Sequence, residues 1–210
     1  FTTGKFLAHD VNDRSRDERV WLERYGVRAA EMTVEEKRLR GRQGVSSRSL
    51  GRDQFGSPVI PVILVQYSDI KFTVDNVTAT YHDYFNAENY TGNGGRGSVR
   101  DYFVSQSMGK YTPTFDIVGV ITLSNNRSYY GQNDGLYNDV RLDEMVSEAV
   151  EKAESSGLDF SKYSNGDGRI PVVSIVYAGV GEQSSDEENA VWAKFSSRTI
   201  ITKGGTISSY

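Results

Sequence analysis

The 210-residue sequence has no cysteine, two histidines and four prolines, and each shortage excludes a class of chemistry. Without cysteine there is no disulfide framework, no Cys-His nucleophilic pair and no thiolate zinc site. His9 and His82 alone cannot form a three-histidine zinc site, and neither begins an H-E-x-x-H helix. A serine triad would need one of the same two as its base, and no G-x-S-x-G elbow is present. Charge of one sign is also lacking. There are 24 basic against 28 acidic residues, net −4, with a pI near 5.3, so no overall field draws the chain to nucleic acid. No apolar run approaches the roughly 18–20 residues of a membrane span; the longest, residues 59–65, is interrupted by Pro61. Phe1 opens a polar segment rather than a leader, and the absent initiator methionine fits a mature or excised piece.

What is present suffices for a core. Apolar content is 37% and the mean hydropathy is −0.51, but 13 tyrosines and 9 phenylalanines bring a large area per residue. The texture changes near residue 58. Residues 1–58 hold 12 basic and 9 acidic residues, whereas residues 59–210 hold 12 and 19. The basic arm predicts helices over 13–25 and 33–42, the second opened by a capping-box pattern at Thr33 and Glu36, then a Gly/Ser/Arg linker over 41–58. From Val59 the pattern is that of a folded α/β domain. A strand buried on both faces is expected over 59–67 and a polar aromatic stretch over 68–97. A helix N-capped by Ser98, with Val99, Tyr102, Phe103 and Gln106 on one face, should close at Gly109. A second strand is expected over 114–123. The 3, 4, 7, 8, 11 spacing of Leu142, Met145, Val146, Ala149, Val150 and Ala153 predicts an amphipathic helix ended by Gly157. A third strand, apolar on both faces, should run over 170–178, and a weak one over 199–202. This order implies a mixed, largely parallel twisted sheet with two main helices, preceded by a partly helical basic arm. With no closing element, the domain is expected to continue past Tyr210.

Few motifs carry chemistry. His9 and His82 read as solvated or core histidines. Asn93-Gly94-Gly95-Arg96-Gly97 precedes a helix, but Asp101 in its first turn would repel an anion. Residues 163–170 alternate oxygen donors before Asp167-Gly168 and offer Asn165 and Asp167 as calcium ligands, although a plain turn explains the same residues. Asp186-Glu187-Glu188 reads as a solvated face or a hard-cation site, and residues 38–42 as a basic helix end or a processing site.

Several stretches, in order, resemble the immune-inhibitor-A-type zinc metallopeptidases of bacteria. They are the apolar run into Tyr67-Ser68-Asp69; Gly97-Ser98-Val99-Arg100-Asp101-Tyr102 with Gln106-Ser107-Met108-Gly109-Lys110; Val118-Gly119; and Tyr129-Tyr130-Gly131. Leu158-Asp159-Phe160, Tyr177-Ala178-Gly179-Val180-Gly181-Glu182 and Val191-Trp192 complete the set. The resemblance covers about residues 59–195. It implies that 1–58 are a propeptide tail and linker and that 59–210 are the N-terminal part of a secreted or cell-surface catalytic domain, similar to a metzincin upper subdomain. Protein or peptide substrates follow from it. The family's zinc-binding H-E-x-x-H helix is expected downstream, so no catalytic residue and no zinc ligand transfers to this chain. Taken alone, the chain is expected to be inactive, and a C-terminal fragment of the same protein is a candidate partner. The alternative is a non-catalytic extracellular binding or adhesion module that keeps the sheet. The family's substrate-aligning edge strand would fall on 170–178, with the loop 179–192 near the cleft.

Overall fold

The computed structural model describes residues 56–134, 138–185 and 187–210, all within one compact unit, Asp53–Tyr210. The two helices expected in the basic arm, His9, residues 38–42, most of the linker and Asp186 lie outside the described residues. Gly56 already pairs with the domain: its amide donates to the Lys110 carbonyl at 2.7 Å, and its carbonyl accepts from Thr112 at 2.8 Å.

The centre is β1 (Val59–Gln66), whose apolar run is buried from Ile60 to Val65. Alternation sends Ile60, Val62 and Leu64 to one face and Ile63 and Val65 to the other, so both faces need cover. One cover is α1 (Val77–Asn86), which brings Phe85 against Phe115. α2 (Val99–Gln106) follows, and then β2 (Thr114–Thr122), parallel to β1. The short α3 (Arg127–Tyr130) leads to α4 (Leu142–Ser155), the cover of the other face, with all six expected apolar residues buried. β3 (Arg169–Ile170) and β4 (Ser174–Tyr177) precede a terminal hairpin, β5 (Ile200–Thr202) and β6 (Gly205–Ile207). The main sheet, in the order β2-β1-β4, is entirely parallel. The fold is therefore mixed α/β, as its alternating pattern implies.

The β1–β2 register slips once: Val62 faces Ile117, but Ile63 faces Gly119. Val118 is the extra residue of a bulge, and Gly119 follows at φ +116°, a conformation that disfavours a side chain. That requirement explains the glycine in the middle of β2.

Three expectations need correction. The single strand over 170–178 is two strands in different sheets. Pro171 has no amide for a ladder, and on its N-terminal side β3 pairs with β6 while on its C-terminal side β4 pairs with β1. The polar stretch 68–97 contains α1, whose apolar stripe is only Val77, Tyr81 and Phe85 among polar residues and whose N-cap is Asn76. The Ser98 helix does not bury the stripe assigned to it. Its capping box is present, with Ser98 Oγ accepting from Asp101 N at 3.1 Å and Asp101 Oδ2 accepting from Ser98 N at 2.8 Å. Its residues are nevertheless not buried, Tyr102 and Phe103 are exposed, and it ends at Gln106 with both Met108 and Gly109 left-handed.

Candidate functional site

Because β1, β2 and β4 are parallel, their carboxyl ends gather at one rim, where open α/β sheets place their binding crevices. Tyr67 leaves β1 fully buried, and burial first, then Tyr177, pushes its phenol pKa up. Ser68 donates to the Asn125 carbonyl at 3.0 Å, and Asp69 Oδ1 accepts the Arg127 amide at 3.0 Å. The aromatic-Ser-Asp sequence thus ties the end of β1 to the start of α3.

From α3, Arg127 reaches across the rim. Its side chain is 13% exposed, donates to the Val180 carbonyl at 3.2 Å and pairs with Glu187. Asp69, Arg127, Ser128, Glu187, Glu188 and Asn189 enclose a hollow of about 260 Å³. Glu187 is therefore half of an ion pair within the sequence cluster read as a solvated face. Tyr130 is buried and donates to Glu148, which also accepts from Ser124 and pairs with Lys152 at 2.7 Å. Burial raises the Glu148 pKa, but the bonds from Lys152, Tyr130 and Ser124 outweigh it and hold the group down to about 2.

The loop over 179–192 leaves β4, one of the two edge strands of the main sheet. Among the described residues no strand pairs with the outer edge of β4. Tyr177 Oη donates to the Val191 carbonyl at 2.9 Å, and Glu182 donates its amide to the same carbonyl at 3.2 Å. Asp139, with its side chain at 0% exposure, accepts the Trp192 amide on both oxygens at 3.2 Å and pairs with Lys194 at 2.9 Å. Asn133 supports this from behind, accepting the Asp139 amide at 2.9 Å and donating to the Glu188 carbonyl at 2.7 Å.

Of the residues singled out from sequence, His82 has a side chain 61% exposed on α1, with Asp83 3.5 Å from its ring. No group of three or more His, Cys, Asp or Glu able to hold a metal occurs among the described residues. The described donors therefore do not fit a zinc centre. Asn165 and Asp167 do lie in one tight turn. The Asn165 amide donates to the Arg169 carbonyl at 2.7 Å, its own carbonyl accepts from Gly168 at 2.9 Å, and Asp167 Oδ1 accepts from Arg169 N at 3.1 Å. Asp139, Arg127 and Glu148 are absent from the sequence reading. Each is a lone charge in a polar context, and only the fold reveals its partner.

The model of the family described as "Immune inhibitor A peptidase M6, catalytic domain" matches residues 59–208. The chain belongs to that peptidase family. Its curated relatives include "Pre-pro-metalloprotease PrtV" from two strains of Vibrio cholerae serotype O1, 30% identical to it over a 130-residue alignment. That alignment covers 52% of this chain and 14% of each relative. The family match begins on the first residue of β1 and runs through β6, so the two sheets and the rim are the matched part. Three of the motifs that carry the resemblance are joints of this rim. Tyr67-Ser68-Asp69 holds α3, Gly131 admits the loop backbone, and Val191-Trp192 is fastened to Tyr177 and Asp139.

Proposed function

We propose that residues 59–210 are the N-terminal part of the catalytic domain of a secreted zinc-dependent endopeptidase, and residues 1–58 its propeptide tail and linker. The family match over β1 to β6 carries this reading. The resemblance assigns the zinc ligands to an H-E-x-x-H helix downstream of this chain, so the isolated 210 residues are inactive; the described donors offer no zinc site of their own. What this part contributes is a wall of the substrate cleft. The open backbone of β4 suits an extended peptide, which pairs with an edge strand through main-chain hydrogen bonds, and the loop 179–192 stands at the carboxyl end of that strand. No helix among the described residues is long and apolar enough to cross a membrane.

Reading the gene past Tyr210 tests the assignment. An H-E-x-x-H sequence is expected within roughly 100 residues. A reading frame that closes without one would instead support the non-catalytic module that keeps the sheet.

Calcium is assigned, as a separate proposal, to the turn at Asn165 and Asp167. Added calcium should raise the melting temperature modestly, and Asp167→Ala should abolish that rise. A melting curve indifferent to calcium removes the site.

A further inference from the structure

We propose that Asp139 is a positioning residue that holds Trp192 as a preformed aromatic subsite for a large apolar side chain of the bound peptide. The proposal rests on the peptidase reading above and adds to it a specificity element and the group that sets it.

Trp192 is 42% exposed although its neighbours Ala190 and Val191 are buried. An aromatic ring left partly open on a backbone held at the Val191 carbonyl and the Trp192 amide is an arrangement in which little conformational freedom is lost on binding. Its backbone is fixed from two sides. Tyr177, the last residue of the edge strand, takes the Val191 carbonyl, and Asp139 takes the Trp192 amide with both carboxylate oxygens. A peptide paired along β4 would leave that strand at Tyr177, beside residue 192.

The latch itself is costly to build, which argues that it has a task. Asp139 has φ +54°, a left-handed conformation uncommon outside glycine. Its carboxylate is wholly buried and needs its charge answered. Lys194 provides that answer at 2.9 Å while donating to the Asn138 carbonyl at 3.0 Å. The same carboxylate thus joins the segment before α4 to the segment carrying Trp192. Sterically similar asparagine would keep one acceptor for the amide but lose the ion pair and the second acceptor.

The test begins with the 210-residue chain carrying Trp21→Phe, which leaves Trp192 as its only tryptophan. Adding Asp139→Asn should shift the tryptophan emission to the red and about double its quenching by acrylamide, with the far-ultraviolet circular dichroism kept. An unchanged spectrum and quenching would overturn the latch. Should Asp139→Asn fail to fold, Lys194→Gln loosens the latch at a side chain 34% exposed, and the same two outcomes apply.

In the full-length protein, Asp139→Asn and Trp192→Ala should each raise KM roughly tenfold for peptides with a large apolar residue at the sensitive position. Glycine-substituted peptides and kcat should change little, and Trp192→Phe should restore most of the difference. Equal effects on both peptide sets would overturn the subsite. A full-length protein that cleaves no peptide would instead overturn the peptidase reading, with the emission result still deciding the latch.

Discussion

Replacing Gly131 by alanine should destabilise the domain by about 1–3 kcal/mol, the usual cost of forcing an extra carbon into a packed site. Gly131 has an ordinary negative φ, so its requirement is spatial. A Cβ there would lie 2.4 Å from the Asn189 carbonyl oxygen and 2.8 Å from the Ala190 carbonyl carbon. Both are backbone atoms, and no side-chain rotation relieves the clash. The segment must move, and it is the one that carries Glu188, held by Asn133, and Val191, held by Tyr177. Chemical denaturation should therefore show a lowered midpoint, and limited proteolysis should gain new cuts within 179–192 relative to the unsubstituted chain. Unchanged stability would mean that the close approach of α3's end to this loop is not a feature of the folded protein.

Glu148→Gln should cost on the order of 2–3 kcal/mol near neutral pH, somewhat less than the pKa displacement from 4.5 to about 2 represents, because solvent screens the partly exposed carboxylate. The folded-state pKa lies below the unfolded one, so the carboxylate's contribution is fully present above pH 4.5. It is lost as the pH falls through about 2. The wild-type chain should lose stability across that window, and the glutamine variant should lose less, with the two converging in acid. The cause is local. Tyr130, buried under the rim, needs an acceptor for its hydroxyl, and Ser124 and Lys152 converge on the same carboxylate. Parallel acid curves for the two proteins would contradict this assignment.

The parts of the fold legible in the sequence are those whose burial is periodic. β1 declares itself because both of its faces are covered, and α4 because six apolar residues fall on one stripe. α1 does not, since a helix that buries only Phe85 completely presents mostly polar residues and starts on an Asn rather than a Ser or Thr. The division of 170–178 between two sheets was equally hidden, because burial next to β6 and burial next to β1 look alike in one apolar run. The β5–β6 hairpin turns at Lys203-Gly204, where Gly204 lies against the Phe160 and Ser161 backbone, a tertiary reason that no local pattern carries. The rim shows the same limit. Tyr67-Ser68-Asp69, Tyr129-Tyr130-Gly131 and Val191-Trp192 stand out as motifs, whereas their partners Arg127, Asp139 and Glu148 are single charges separated from them by up to 58 residues. Chain neighbours do not identify such partners; the parallel sheet does, by bringing three strand ends to one side.

The chain belongs to a peptidase family, and the relatives named as metalloproteases are about seven times longer than the segment they share with it. The most direct measurement is cleavage of an unfolded protein such as casein by the full-length protein and by the 210-residue chain, each before and after chelation and after zinc is returned. The full-length protein should cleave, lose activity to the chelator and regain it with zinc, while the 210-residue chain stays inert throughout. Cleavage that survives chelation, or a full-length protein that stays inert with zinc supplied, would contradict the assignment.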